Sequence, residues 1–414
     1  MTFALLLALV SALFAAIAFR DLRQAVILLV GLLPAYLIRF SVGPFPTTLL
    51  EVLLLLLILV WILRGHGLAA CTSLHGHWLW PILLLITAGS IGVSVAPDTM
   101  AALGIWKAYL IEPILLFLVI RTTIKTKADI AWIFVALGVS AIVVSIFAII
   151  QYLTGIGLPI PWDIERRVTS FYDFPNAVGL FLGPIVAIGV VHLFRPINEA
   201  AISITAQRWF WGIVFLLGSA TIVLSKTEAA LVAIPAAVLL VSFLYKHARR
   251  FTIPFAIILA VATLTIPKVQ EKLLLQDYSG TIRLSQWRET AELLKDNVIF
   301  GVGLSGYPAA LVPYHEDTWI EIFQYPHNII LNIWVELGLL GLVAFVLLAL
   351  TVLHRFWKNR DDVVAIIVFV ALLEMLIHGL VDVPYFKNDL AILTWSLLAI
   401  LSLSPHKVEG NSKS

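Results

Sequence analysis

Long apolar runs recur along the whole chain, each closed at both ends by a short cluster of polar, charged or turn-forming residues. Read as helices, the runs fall at 3–19, 24–40, 47–63, 78–95, 101–120, 129–154, 176–194, 209–224, 228–245, 252–267, 327–352, 362–382 and 389–404. A hydrocarbon core about 30 Å thick is crossed by roughly 20 helical residues. The pattern therefore predicts an all-α polytopic membrane protein of about 12–13 transmembrane helices, with residues 1–414 forming a single integral membrane domain. The first run, 3–19, lacks a basic leading segment and a small-residue cleavage site, so it is read as a helix and not as a signal peptide.

Lysine and arginine fix the orientation, because short cytoplasmic loops are enriched in them. With the C-terminus inside, the inner set is Arg20, Arg23, Arg64, Arg121, Lys125, Lys127, Arg195, Arg208, Lys246, Arg249, Arg250, Arg355, Lys358, Arg360, Lys407 and Lys413. The outer side receives short links, such as "SVGPFP" and "APDT", and two longer loops at 155–175 and 268–326. These loops hold Arg166, Arg167, Lys268, Lys272, Arg283, Arg288 and Lys295, cations that topology does not explain and that an anionic substrate would. Within the larger loop, "TIRLSQWRETAELLKDN" (281–297) has helical periodicity, with Ile282, Gln286, Glu289 and Leu293 on one face and Leu284, Trp287, Ala291 and Leu294 on another. It predicts an amphipathic helix at the membrane surface.

Composition narrows the classes further. At 61% hydrophobic and 13% charged, the chain departs from the roughly 25% charged residues of soluble domains. The net charge of +2 is spread over short loops and points to no nucleic-acid partner. One cysteine, Cys71, excludes an internal disulfide and a cysteine-rich metal site. No His/carboxylate grouping has metal-ligand spacing, so neither metal nor cofactor is expected. "GLSG" (303–306) resembles a rhomboid-protease motif but follows a surface helix instead of opening a membrane helix.

Ionisable groups inside the bilayer are costly and mark candidate functional positions. Lys107 and Glu112, five apart, are expected to pair. Glu374, His378 and Asp382 follow at spacings of four and are expected to share one helical face near the outer half of the twelfth helix. Such a seam would suit a proton relay or a polar cavity. It carries the main rival reading, a secondary transporter or flippase, although the inverted repeats common in transporters are not seen. A non-catalytic membrane scaffold is a second rival.

The last outer feature is "YPHNIILNIWVELGLLG" (325–341), where His327, Asn328, Asn332 and Glu336 crowd the mouth of an apolar helix and Pro326 suits its first turn. The spacing His327-Asn328, nine residues, Gly338, two residues, Gly341 resembles the signature of the O-antigen ligase and O-antigen polymerase (Wzy-C) superfamily. Two further segments are similar to that family's motifs. "SGTIRLSQWRETAELLKDNVIFGVGLSGY" supplies Arg283, Trp287, Gly301 and Gly303, and "RRVTSFYDFPNAVGLFLGP" supplies Arg167, Phe171, Pro175 and Asn176. The detailed resemblance covers about 166–341. It departs at Ser225-Lys226, where the family often has Ser-Arg; lysine keeps the charge and loses the bidentate fork.

The resemblance implies a GT-C-like fold and a multi-pass enzyme of the bacterial cytoplasmic membrane, with its site on the periplasmic or extracellular side. Such an enzyme transfers a glycan from an undecaprenyl diphosphate carrier to a hydroxyl of a glycan, lipid or protein acceptor, in polysaccharide biosynthesis for the cell envelope. Arg167, Arg283, Lys226 and Arg288 are then expected on the diphosphate, with Arg283 also catalytic. Imidazole, which titrates at about 6.5 in model peptides, suits His327 as general base. Asn328, Asn176 and Trp287 are expected to support it. Attack opposite the leaving group would invert the anomeric centre without a metal.

Overall fold

The computed structural model describes residues 2–43, 45–67, 76–198 and 202–403. Cys71, Lys407, Lys413 and the end of the last expected helix at 404 lie outside the described residues. The helices are α1 (Thr2–Arg20), α2 (Leu22–Gly31), α3 (Leu49–Leu63), α4 (Leu79–Val95), α5 (Thr99–Thr123), α6 (Lys127–Thr154), α7 (Pro175–Phe194), α8 (Ile204–Leu224) and α9 (Glu228–Ser242). They continue with α10 (Lys246–Thr265), α11 (Pro267–Leu273), α12 (Tyr278–Asp296), α13 (Tyr307–Leu311), α14 (Ile329–Lys358), α15 (Val363–His378) and α16 (Asn388–Ser402). Among the described residues eight helices, α1, α4–α8, α10 and α14, are long and apolar enough to cross a membrane, and α2, α3, α9, α15 and α16 are shorter apolar helices beside them. The chain is an all-α polytopic membrane protein.

α7 is the central post. Every residue from Ala177 to Gly189 is buried, with α8, α9 and α15 packed around it. Residues without bulk make this contact possible: a Cβ on Gly183 would sit 2.3 Å from the Glu374 carboxylate of α15. α14 lies along α4, α16 along α5 and α2 along α6.

The expected pattern of apolar runs is present, and three of its boundaries are corrected. The run at 24–40 does not form one helix. α2 stops at Gly31, a 3-10 turn covers Leu33–Leu37, and an antiparallel ribbon pairs β1 (Arg39–Val42) with β2 (Phe45–Thr48). Pro34 lacks the N–H that α2 would need to continue. α14 begins at Ile329, capped by Asn328, so His327 and Pro326 stand before the helix and not in its first turn. α15 ends at His378, and Gly379 starts a turn, so Asp382 does not continue the helical face of Glu374 and His378. The expected Lys107–Glu112 pair has Nζ 3.9 Å from Oε1, and a second carboxylate, Glu51 of α3, also binds Lys107.

One helix is broken on purpose. Gly338 in α14 has φ 65° and ψ −170°, a conformation essentially confined to glycine. The segment after α12 fills the break: Val302 N–H donates to Val335 O at 2.7 Å, and Leu339 N–H donates to Ile299 O at 2.9 Å. A Cβ on Gly338 would lie 2.4 Å from Ile299 O, and one on Gly301 would lie 2.2 Å from Val335 O. The Gly-x-Gly turn and the helix glycine, far apart in sequence, are two sides of one backbone junction. It closes a lost turn of helical hydrogen bonding that would otherwise stand unsatisfied.

Candidate active site

Three stretches converge on Asp382 at the end of the bundle that bears α12. The chain entering α14 brings His327, whose Nδ1 is 3.3 Å from Asp382 Oδ1. The first turn of α7 brings Asn176, whose Nδ2 donates to Asp382 Oδ2 at 3.4 Å. The turn after α15 holds Asp382 itself, with Val383 N–H donating to Oδ1 at 2.8 Å. Burial alone would raise the Asp382 pKa. The hydrogen bond from His327 and the charges of His327, His378 and Arg283 outweigh it and hold the carboxyl well below the usual range.

This geometry assigns the imidazole proton. A carboxylate accepts and does not donate, so Nδ1 is the protonated nitrogen and Nε2 presents its lone pair. His327 adopts φ 45°, left-handed for a non-glycine residue, and is held there from both sides. On one side, α12 grips the preceding residues: Gln286 Nε2 donates to Tyr325 O at 2.9 Å and Trp287 Nε1 to Pro326 O at 2.8 Å. On the other, Asn328 caps α14 by accepting from Ile330 and Leu331 N–H, and donates to Leu380 O at 3.0 Å. The rings of Tyr325 and Phe323 stand edge-on to the imidazole at 4.9 and 5.1 Å.

Two arginines flank this group. Arg283 of α12 donates through Nε to Val381 O at 2.9 Å, next to Asp382 in the chain, and its terminal nitrogens carry no hydrogen bond among the described residues. Arg167 donates through Nε to Ser225 O at 3.2 Å and through Nη2 to Asn176 Oδ1 at 3.4 Å, with its guanidinium 4.9 Å from the Trp162 ring. Burial pulls its pKa down, and the nearby Glu165 carboxylate only partly offsets this. The other two expected cations are engaged elsewhere. Lys226 pairs with Glu165 at 2.9 Å, which lowers the Glu165 pKa, and Arg288 pairs with Asp317 at 2.9 Å and Glu316 at 3.7 Å. The structure thus gathers His327, Asn328, Asn176, Trp287, Arg167 and Arg283 and sets Lys226 and Arg288 in carboxylate contacts. Among the described residues no trio of His, Cys, Asp or Glu side chains is close enough to hold a metal ion.

Sequence reading missed that Asp382 partners His327, because it ran the last turns of α15 through to 382. Gly379 directly after His378 is the signal that ends that helix, glycine being the common residue just past a C-terminus. It also missed that Glu289 faces inward. Both its oxygens are used to clamp the loop at 315–317, accepting from His315, Glu316 N–H and Asp317 N–H.

Residues 213–346 match the family model described as O-antigen ligase. This stretch is similar to the O-antigen ligase family. It contains Lys226, Arg283, Trp287, Arg288, His327 and Asn328 and both sides of the glycine junction, whereas Arg167, Asn176 and Asp382 join the candidate site from outside the matched span. No curated protein matches the chain. The match, in a chain built of membrane-length apolar helices, supports an O-antigen ligase-type function for this region.

Proposed function

We propose that the protein transfers a glycan from an undecaprenyl diphosphate carrier to an acceptor hydroxyl at the outer face of a bacterial cytoplasmic membrane, with inversion at the anomeric carbon. The observation that carries this reading is the juxtaposition of the His327–Asp382 pair with Arg283 and Arg167. A lipid diphosphate leaving group brings negative charge to the bilayer surface and gains more as its bond breaks. Guanidinium groups bind such oxygens bidentately, and their charge is worth most where it develops in the transition state. Arg283, with its terminal nitrogens available, and Arg167, whose charge is half-buried, take this role. Lys226 exchanges Glu165 for a phosphate oxygen as the donor arrives, and Arg288 holds the loop that backs α12.

The acceptor oxygen attacks the anomeric carbon as the carbon–oxygen bond to the diphosphate breaks, the bonding pair leaving with the phosphate. The acceptor proton passes to His327 Nε2. Asp382 keeps the imidazole in the required tautomer and stabilises the imidazolium. Asn176 links the two halves, touching both Asp382 and Arg167. Basic loops at the opposite end of the bundle support the outward orientation. The site region extends over 166–341 and reaches Asp382.

The test is transfer from a purified undecaprenyl-diphosphate-linked glycan by the reconstituted protein. Wild type is expected to release the diphosphate carrier with product of inverted configuration by NMR, and retention of configuration would overturn the single-displacement chemistry.

A further inference from the structure

Away from the ligase site, at the opposite, basic end of the bundle, α2 and α6 enclose a groove of about 610 Å³. Its volume lies within the roughly 300–1,000 Å³ of small-ligand sites. The deep end is closed where the two helices touch: a Cβ on Gly31 would be 3.3 Å from the Ala136 Cβ. The open side faces the membrane, with Trp132 42% and Val139 49% exposed. From Asp129 to Val139 the groove follows α6 for about 15 Å at 1.5 Å per residue, half of a hydrocarbon core about 30 Å thick. It therefore has the reach of one leaflet.

The mouth is charged and mixed in sign. Arg23 Nη2 lies 3.0 Å from Asp21 Oδ2, and its Nη1 lies 3.8 Å from Asp129 Oδ1. The second Asp129 oxygen accepts from Lys125 and Thr126 N–H. Two carboxylates and one guanidinium leave a net charge of −1 on the groove lining, despite the basic loops around it. That is the complement of a headgroup carrying one phosphate and one primary ammonium: the phosphate falls to Arg23 and the ammonium to Asp21 and Asp129. An anionic headgroup would offer these carboxylates no ammonium and would add its charge to a lining already at −1.

We propose that the groove between α2 and α6 is a binding site for one phospholipid of the inner leaflet, selective for an ethanolamine headgroup over an anionic glycerol headgroup. The acyl chain lies along Trp132 and Val139, and the headgroup sits on the Asp21–Arg23–Asp129 trio.

The full chain is reconstituted in nanodiscs of equimolar phosphatidylethanolamine and phosphatidylglycerol, and tightly retained lipid is counted by native mass spectrometry. Phosphatidylethanolamine should be enriched about two- to fivefold, the scale of a partly exposed ion pair. The Asp21→Asn/Asp129→Asn variant should lose the enrichment. Val139→Trp, a change at an exposed position that the fold tolerates, should cut total retained lipid while the melting temperature is kept. Retention in the bulk ratio, preference for phosphatidylglycerol, an unchanged preference in the double variant, or closure of the groove by a second copy in cysteine cross-linking at position 139 would each overturn the proposal.

Discussion

His327 Nδ1 and Asp382 Oδ1 stand 3.3 Å apart although 55 positions separate them in sequence. The hydrogen bond places the imidazole proton on the nitrogen facing the protein and leaves the other for the acceptor. Asp382→Asn keeps the shape but can present an amide donor to Nδ1, favouring the wrong tautomer. Turnover at saturating donor should fall by about 10²–10⁴-fold, the range for loss of a positioned acid–base group, while donor affinity changes little. Single-turnover rates and donor titrations separate the two. Because the Asp382 pKa is depressed, its anionic form persists through the neutral range, and changes of rate there do not report its titration.

The two flanking cations should differ from Arg288, which is held in carboxylate contacts. Arg283→Lys keeps the charge and loses the planar fork beside Val381 O, and should cost about 10²-fold or more in turnover, comparable to removing one transition-state donor. Arg167→Ala should weaken donor binding and turnover together. Arg288→Ala, which only frees Asp317 and Glu316, should leave the donor KM within about threefold, as expected for a surface ion pair. An Arg288→Ala loss equal to that of Arg283→Lys would move the diphosphate to the other face of α12.

Gly338→Ala should be disproportionately harmful for a one-carbon change. The position has φ 65°, and the added carbon would meet Ile299 O at 2.4 Å. Backbone strain of this kind costs about 1–3 kcal/mol before the clash is counted. The expected outcome is a lower melting temperature in detergent and lost transfer, although no catalytic side chain is touched. Gly104→Ala in α5 provides the comparison, since its added carbon would meet nothing within 4 Å.

The loop ahead of the site should loosen as the pH rises above the ordinary histidine range. Nδ1 of His315 is 3.0 Å from Glu289 Oε2, and that hydrogen bond raises the His315 pKa, with partial desolvation opposing it. A raised histidine contributes stability that is complete below the ordinary histidine value and is lost as the pH rises through the raised one. Protection of amides 315–320, corrected for intrinsic exchange, should fall across that interval in wild type. In His315→Gln it should be lower and independent of pH.

Much of this protein could be read from apolar periodicity, because a membrane helix is fixed by length and hydrophobicity. The apolar runs and the α12 helix are examples, whereas His327, Arg283, Arg167 and Asn176 are picked out by the resemblance of their segments to the O-antigen ligase motifs. The remainder depends on backbone junctions that periodicity does not record. Apolar content carries the run at 24–40 across Pro34 and the run at 362–382 across Gly379, where the chain turns. The face of α12 that packs inward holds Gln286, Glu289 and Thr290, a polar set that a hydrophobicity criterion assigns to solvent. Its partners are loop N–H groups and Tyr325 O, which only tertiary structure brings within reach.

The most direct test of the central claim is single-turnover transfer by reconstituted protein loaded with undecaprenyl-diphosphate-linked glycan and saturating acceptor, comparing wild type with His327→Ala. The account predicts donor binding within about threefold of wild type and a transfer rate lower by about 10²-fold or more, since the base and not the phosphate grip is removed. A folded His327→Ala protein that transfers glycan at the wild-type rate would contradict it.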